Sequence, residues 1–305
     1  MQEGLNKRVV LVSGKGGVGR TTVAIALAQA AAAAGKRVLL CELQDQENTE
    51  SALGRALGQK HLSEELCVVS KGLQACLLSS RYGHIRFLSS LLPAKALIAA
   101  ALKSRALQVF LNSAPSFFEM GIFYHFIELF KAKEPDGSYT HEMIILDMPA
   151  TGHALALTGL PEILLRLIPG GPIAKLLREG QAYLNDPEVC AAWVVSLAEQ
   201  LPISEALELL DGLAKTNVPV GGLVLNRLER NPFNETEIDC LDDLHGVDQL
   251  LGARVFRNIQ RMRLQIERLQ QAVQIPIIGL KDCKDHSLNL FDTLASELSV
   301  AENLA

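Results

Sequence analysis

Residues 8–22 read Arg8-Val-Val-Leu-Val-Ser-Gly14-Lys-Gly-Gly-Val-Gly-Arg20-Thr-Thr22, and an alanine-rich run follows them. The opening apolar residues do not alternate with polar ones, the pattern of a strand covered on both faces. Glycine at 14, 16, 17 and 19 frees the backbone to turn successive N–H groups inward, and Thr21 onward reads as a helix over Thr21–Ala34. Strand, glycine loop and helix follow in that order. Gly14, Gly19, Arg20 and Thr21 have the spacing G-x-x-x-x-G-[basic]-[Ser/Thr], which predicts a phosphate-binding loop. In that reading the backbone of Gly14, Lys15, Gly16, Gly17, Val18 and Gly19 forms a nest for a β-phosphate, and the helix start adds its unpaired N–H groups. Arg20 supplies charge, the Thr21 hydroxyl a ligand for Mg²⁺, and Thr22 a contact to the α-phosphate.

Outward from this loop, short runs rich in Val, Ile and Leu recur at Arg8–Ser13, Arg37–Glu42, Leu66–Ser70, Glu142–Asp147, Ala192–Leu197, Val220–Asn226 and Ile275–Leu280. Helical patterns separate them, among them Ser204–Thr216 and Ser287–Asn303. This alternation predicts an α/β fold, a doubly wound and mostly parallel sheet of about seven strands carrying the P-loop. Two connections are too long for simple crossovers, about 71–141 and about 152–191, and both hold helical patterns. They are read as insertions forming a helical subdomain on one side of a single domain that spans 1–305. Val247–Val273 places Leu251, Val255, Ile259, Met262, Ile266, Leu269 and Val273 on one helical face, for its own sheet or for a coiled-coil partner.

Composition narrows the function classes. With 49% hydrophobic and 21% charged residues over 305 positions, the chain is globular rather than disordered. A net charge of −5 argues against gripping a nucleic-acid backbone, so no nucleic-acid partner is expected. The six cysteines include no C-x-x-C pair, so neither a zinc site nor a disulfide scaffold is expected, and the setting predicted is reducing and cytoplasmic. The most apolar long stretch, Phe87 to Leu111, is broken by Pro93, Lys95, Lys103 and Arg105, too short between breaks to span a bilayer.

A second nucleotide motif lies at Met143-Ile-Ile-Leu-Asp147, which runs into Met148-Pro-Ala-Thr-Gly-His-Ala-Leu-Ala-Leu157. A carboxylate at the end of a buried strand can hold a Mg²⁺-bound water, and Asp147 is the candidate. The glycine loop with Lys15 resembles the signature-lysine P-loop ATPases. Asp147-x-Pro-Ala-Thr-Gly-His153-x-Leu resembles more narrowly the switch II of the arsenical-pump-driving (ArsA-like) ATPases, a family that also includes factors delivering tail-anchored membrane proteins. Ala114-Pro115 with Phe117–Phe130, Glu199-Gln-Leu-Pro202 with Glu205, and Val220-Gly-Gly-Leu-Val-Leu-Asn226 are similar to further segments of that family. The resemblance implies ATP or ADP with Mg²⁺ as ligands, Asn226 as reader of the adenine edge, and Lys15 as a catalytic lysine that reaches the nucleotide of a partner subunit.

Ala198 replaces a usual proline before Glu199, and this sequence departs from the family at three further positions. Arg20 stands where lysine is usual, Ala156 where arginine is usual, and Gln44 where an aspartate orients the attacking water. Gln44 can orient water but cannot take a proton, and Asp45 is the neighbouring carboxylate able to replace it. The expectation is therefore a nucleotide-gated dimer with normal, slow or absent hydrolysis. It would be a homodimer or a heterodimer with a related ATPase, coupling nucleotide state to a helical subdomain that binds a protein client or a membrane partner. A nucleotide-binding scaffold with little hydrolysis, a membrane-protein targeting chaperone and an arsenite-pump subunit are the alternatives. The last would use cysteines brought together by folding, with Cys76, Cys190 and Cys240 as candidates.

Overall fold

The computed structural model describes residues 3–43, 50–59, 61–91, 115–149, 158–159, 161–162, 164–166, 169–243, 252–283 and 290–300. The strands are β1 (Val9–Gly14), β2 (Val38–Leu43), β3 (Cys67–Ser70), β4 (Leu73–Leu78), β5 (Met143–Asp147), β6 (Cys190–Leu197), β7 (Val220–Leu228) and β8 (Ile277–Lys281). They form one sheet in the order β3-β4-β2-β5-β1-β6-β7-β8. Every neighbouring pair is parallel except β3 with β4.

β4 corrects the sequence reading, which assigned everything from residue 71 to 141 to a helical insertion. Leu73–Leu78 is a buried strand between β2 and β3, so the sheet has eight strands rather than about seven. Only Lys71 and Gly72 separate β3 from β4, with Gly72 at φ +79. A two-residue link permits an antiparallel hairpin but not a parallel crossover.

Strand periodicity sorts the core into two layers. Val10, Val12, Leu40, Ile145, Trp193 and Val224 face helices α1 (Arg20–Ala33) and α9 (Leu290–Val300). The small alanine side chains of α1 let it pack tightly, and its residues from Val23 to Ala28 are all buried. The opposite face carries Val9, Leu11, Leu39, Ile144, Leu146 and Val194, covered by α4 (Pro115–Lys131), α5 (Gly171–Asn185) and α6 (Gln200–Lys215). Phe123, Phe126 and Phe130 of α4 are buried in this same layer. Arg8 pins α4 to the start of β1: its guanidinium lies 3.8 Å from the centre of the Phe130 ring and 3.2 Å from that of Tyr139.

Four further helices are α2 (Ala52–Ala56), α3 (Ser80–Leu91), α7 (Glu235–Asp242) and α8 (Ala253–Ala272). α3 packs on α4. The buried face of α8 is set by Ala253, Phe256, Ile259 and Leu269, while Val255, placed by the sequence reading on the apolar seam, is exposed. Among the described residues no helix is long and apolar enough to cross a membrane.

Candidate functional site

β1 is the strand between β5 and β6, and the glycine loop leaves its C-terminal end, where ligands bind in open α/β sheets. Gly14 is required by packing: a Cβ there would lie 2.3 Å from the Val195 carbonyl oxygen on β6. Gly19 is required by conformation, because it caps α1 in the left-handed region at φ +91 and a Cβ would meet Asn226 Nδ2 at 2.3 Å. Gly19 has no side chain with which to cap α1, and the first helical bond runs from Val23 N–H to its carbonyl. The N–H groups of the first turn therefore point toward the loop with no side-chain acceptor from the cap.

The loop is fixed from beneath. Val18 is buried, and its carbonyl oxygen accepts from Asn226 Nδ2 at 2.9 Å. Asn226 Oδ1 in turn accepts from Arg227 N–H at 3.0 Å, with Arg227 at φ +56. Asn226, expected to read adenine, is thus buried at the end of β7 with its amide engaged in bracing the loop.

Carboxylates meet on the other flank. Thr21 Oγ1 donates to Asp147 Oδ2 at 2.6 Å. Glu42, at the end of β2, stands directly opposite Asp147 in the β2–β5 register. Arg20 donates from Nη1 to the Met148 carbonyl oxygen and feels the charges of both carboxylates. Burial lowers the Arg20 pKa, and the charges of Asp147 and Glu42 partly restore it. Burial pushes the Asp147 carboxyl up to about 6; the Thr21 hydrogen bond and Arg20 oppose that rise, and Glu42 adds to it. Glu42 itself accepts from Ala52 N–H at 3.0 Å, Leu53 N–H at 3.1 Å and the Ser51 hydroxyl, tying the end of β2 to the start of α2.

Glu42 is the residue that sequence reasoning left without a role. Its signal was the same as that of Asp147, an acid ending a buried apolar strand.

Lys15 lies on the outer side of the loop, where Nζ is 2.8 Å from Glu205 Oε1 on α6. Gly14–Thr22, Asp147 and Asn226 are therefore brought to one end of the sheet. Gln44 and Asp45, the expected water-orienting pair, lie outside the described residues, as do Ala156 and His153 of the second motif.

The residues present suit magnesium and a nucleotide phosphate. Asp147 is a buried carboxylate beside a threonine hydroxyl at the mouth of the glycine loop, and its raised pKa marks charge that Arg20 alone does not compensate. No group of three or more His, Cys, Asp or Glu gathers among the described residues. Magnesium sites built from one carboxylate, a hydroxyl, waters and phosphate oxygens need no such group.

The three cysteines considered for a metalloid do not form one cluster. Cys76 on β4 and Cys190 on β6 are buried and four strand positions apart, roughly 19 Å, whereas Cys240 is exposed on α7. Cys76 lies instead against Cys41, with their sulfurs 3.7 Å apart.

Comparison with known proteins adds to this geometry. Residues 7–169 match the family described as anion-transporting ATPases. The chain is 26% identical over 222 residues to the ATPase BagA of Mycobacterium tuberculosis and, at the same identity, to a putative ATPase of Mycobacterium bovis. Those alignments cover 72% of this chain, which spans 65% of the length of these relatives. A chromosome-partitioning ATPase, Soj, of Thermus thermophilus is 54% identical over 48 residues, 16% of this chain and 19% of that protein.

Proposed function

The chain belongs to the anion-transporting ATPase family, and from that membership we propose that it is a magnesium-dependent ATP-binding switch that acts as a dimer and hydrolyses ATP slowly. The observation that carries the reading is the glycine loop braced by Asn226 on one side and joined through Thr21 to Asp147 on the other. The loop and the start of α1 present backbone N–H groups to the β-phosphate, and Thr21 and Thr22 add hydroxyls. Thr21 and Asp147 would hold magnesium, the latter through water, and the metal when bound neutralises phosphate charge.

Slow hydrolysis follows from Arg20. Its guanidinium donates to the Met148 carbonyl and is drawn by the charges of Asp147 and Glu42. A triphosphate must either draw it away or do without the cation that a lysine in its place would supply.

In this reading a second copy of the chain, or a related ATPase, faces the loop. The segment after Asp147 and the chain after β2 respond to the γ-phosphate. The helices on the far face of the sheet transmit the ATP or ADP state to a protein client or membrane partner.

Calorimetry on nucleotide-free protein with Mg-ATP and Mg-ADP, beside a phosphate-release assay at rising protein concentration, tests the proposal. Micromolar binding is expected, with turnover that is slow and rises more than linearly with concentration. No uptake of either nucleotide would sink it, and brisk turnover independent of concentration would remove both the dimer and the slow step.

A further inference from the structure

Lys15 carries a half-exposed side chain on the braced glycine loop, whereas its partner belongs to a helix packed into the core. Glu205 projects from the second turn of α6, a 16-residue helix whose Ile203, Ala206 and Leu209 are buried in the layer under the sheet. Arg268 of α8 donates to the Ser204 hydroxyl at 3.2 Å, which steadies the same turn from the side. The Glu205 side chain is 19% exposed and that of Lys15 is 49% exposed. The more shielded, better anchored member of the pair is therefore the acid, and the lysine is the member free to leave.

The chemistry of the loop makes this placement informative. An ammonium beside a phosphate nest has two anions to choose between, the carboxylate of its own chain and the phosphates of a nucleotide. Resting on the nucleotide reading above, we propose that Glu205 is a positioning residue for Lys15. It holds the ammonium against α6 while the loop carries no phosphate and yields it when a triphosphate enters. Phosphate wins because it offers more than one negative charge to a cation that is strongly hydrated and makes no bidentate bond to carboxylate. The pair thus sets a threshold, which lowers affinity for weakly charged ligands and reserves Lys15 for a nucleotide with its phosphates in place.

The test is E205Q, which keeps the shape of the side chain and removes its charge, with E205D as the variant that keeps the charge on a shorter arm. In the nucleotide-free chain, acetylation of the Lys15 amine, read by peptide mass spectrometry, is expected to speed up about three- to fivefold in E205Q, the range of a half-exposed ion pair. Lys36 and Lys131 serve as internal references and should not change. Calorimetric ATP affinity is expected to tighten by a similar factor in E205Q and less in E205D. In a K15A background the E205Q gain should disappear, because the carboxylate acts through the lysine.

Unchanged Lys15 labelling in E205Q overturns the proposal whether or not the chain binds nucleotide. An affinity gain that persists in K15A overturns it as well, since the acid would then merely repel phosphate. A wild-type chain that takes up no ATP overturns the nucleotide reading, and with it the yielding of Lys15, even if the labelling rises.

Discussion

The carboxylate at the end of β5 should cost the ligand-free fold stability, and D147N measures how much. Asp147 is buried with its pKa raised from 3.8 to about 6, first by desolvation. Each unit is worth about 1.4 kcal/mol, so keeping the ionised form folded at pH 7.5 costs about 3 kcal/mol. The sign is that of an acid whose folded pKa is raised. The penalty is full above about pH 7, falls as pH drops through 6 and is gone below the unfolded value of 3.8.

Asparagine keeps the acceptor for Thr21 without the charge. In calorimetric melts of nucleotide-free protein at pH 7.5, D147N is therefore expected to unfold about 6 °C above wild type, taking roughly 2 °C per kcal/mol for a chain this long. At pH 5 that gap should shrink to about half. Saturating Mg-ATP should invert the order, because wild type gains the binding free energy and D147N loses most of it. If D147N melts at or below wild type at pH 7.5, or if the gap is the same at pH 5, the carboxylate is not strained and its assignment to magnesium loses its physical basis.

R20K should release the Met148 carbonyl and return a compact ammonium to the loop, raising single-turnover hydrolysis several-fold over wild type; an unchanged or lower rate would show that Arg20 is not what slows it. N226A removes the donor to the Val18 carbonyl beneath the loop and should weaken ATP binding about tenfold by calorimetry, with only a small change in Tm. His125 in α4 is buried, its Nδ1 finds no partner among the described residues, and desolvation lowers its pKa to about 4. Because a histidine held neutral makes the fold lose stability as pH falls from 6.5 toward 4, H125F should flatten the acid limb of the wild-type melting profile. That limb runs opposite to the Asp147 contribution, so the comparison of D147N with wild type, not either profile alone, isolates the carboxylate.

Much of the sheet was legible because its strands are covered on both faces. Met143-Ile-Ile-Leu and Cys190-Ala-Ala-Trp-Val-Val are unbroken, β-branched-rich apolar runs of strand length, as expected of strands covered on both faces. β4 escaped because Leu73-Gln-Ala-Cys-Leu-Leu78 runs straight into the helical pattern of α3, so its periodicity blended with what followed. The signal that would have separated them was upstream, in the Lys71-Gly72 link, since a strand that ends in a two-residue turn with glycine must be answered by another strand.

The site was legible where it is local and hidden where it depends on which strands pair. Gly14–Thr22 is a single stretch, so its spacing was enough. The pairing of Glu42 with Asp147 was not, because β5 enters the sheet between β1 and β2 and sets the two acids side by side only through that order. Arg20 follows from the same fact. Buried Asp147 and half-buried Glu42 place two carboxylates on neighbouring strands near the start of α1, where a cation is favoured. A guanidinium there keeps its charge and has donors to spare for the Met148 carbonyl. The residue that departs from the usual phosphate-loop pattern is, in the folded chain, a cation that feels the charges of Asp147 and Glu42 while it donates to the Met148 carbonyl.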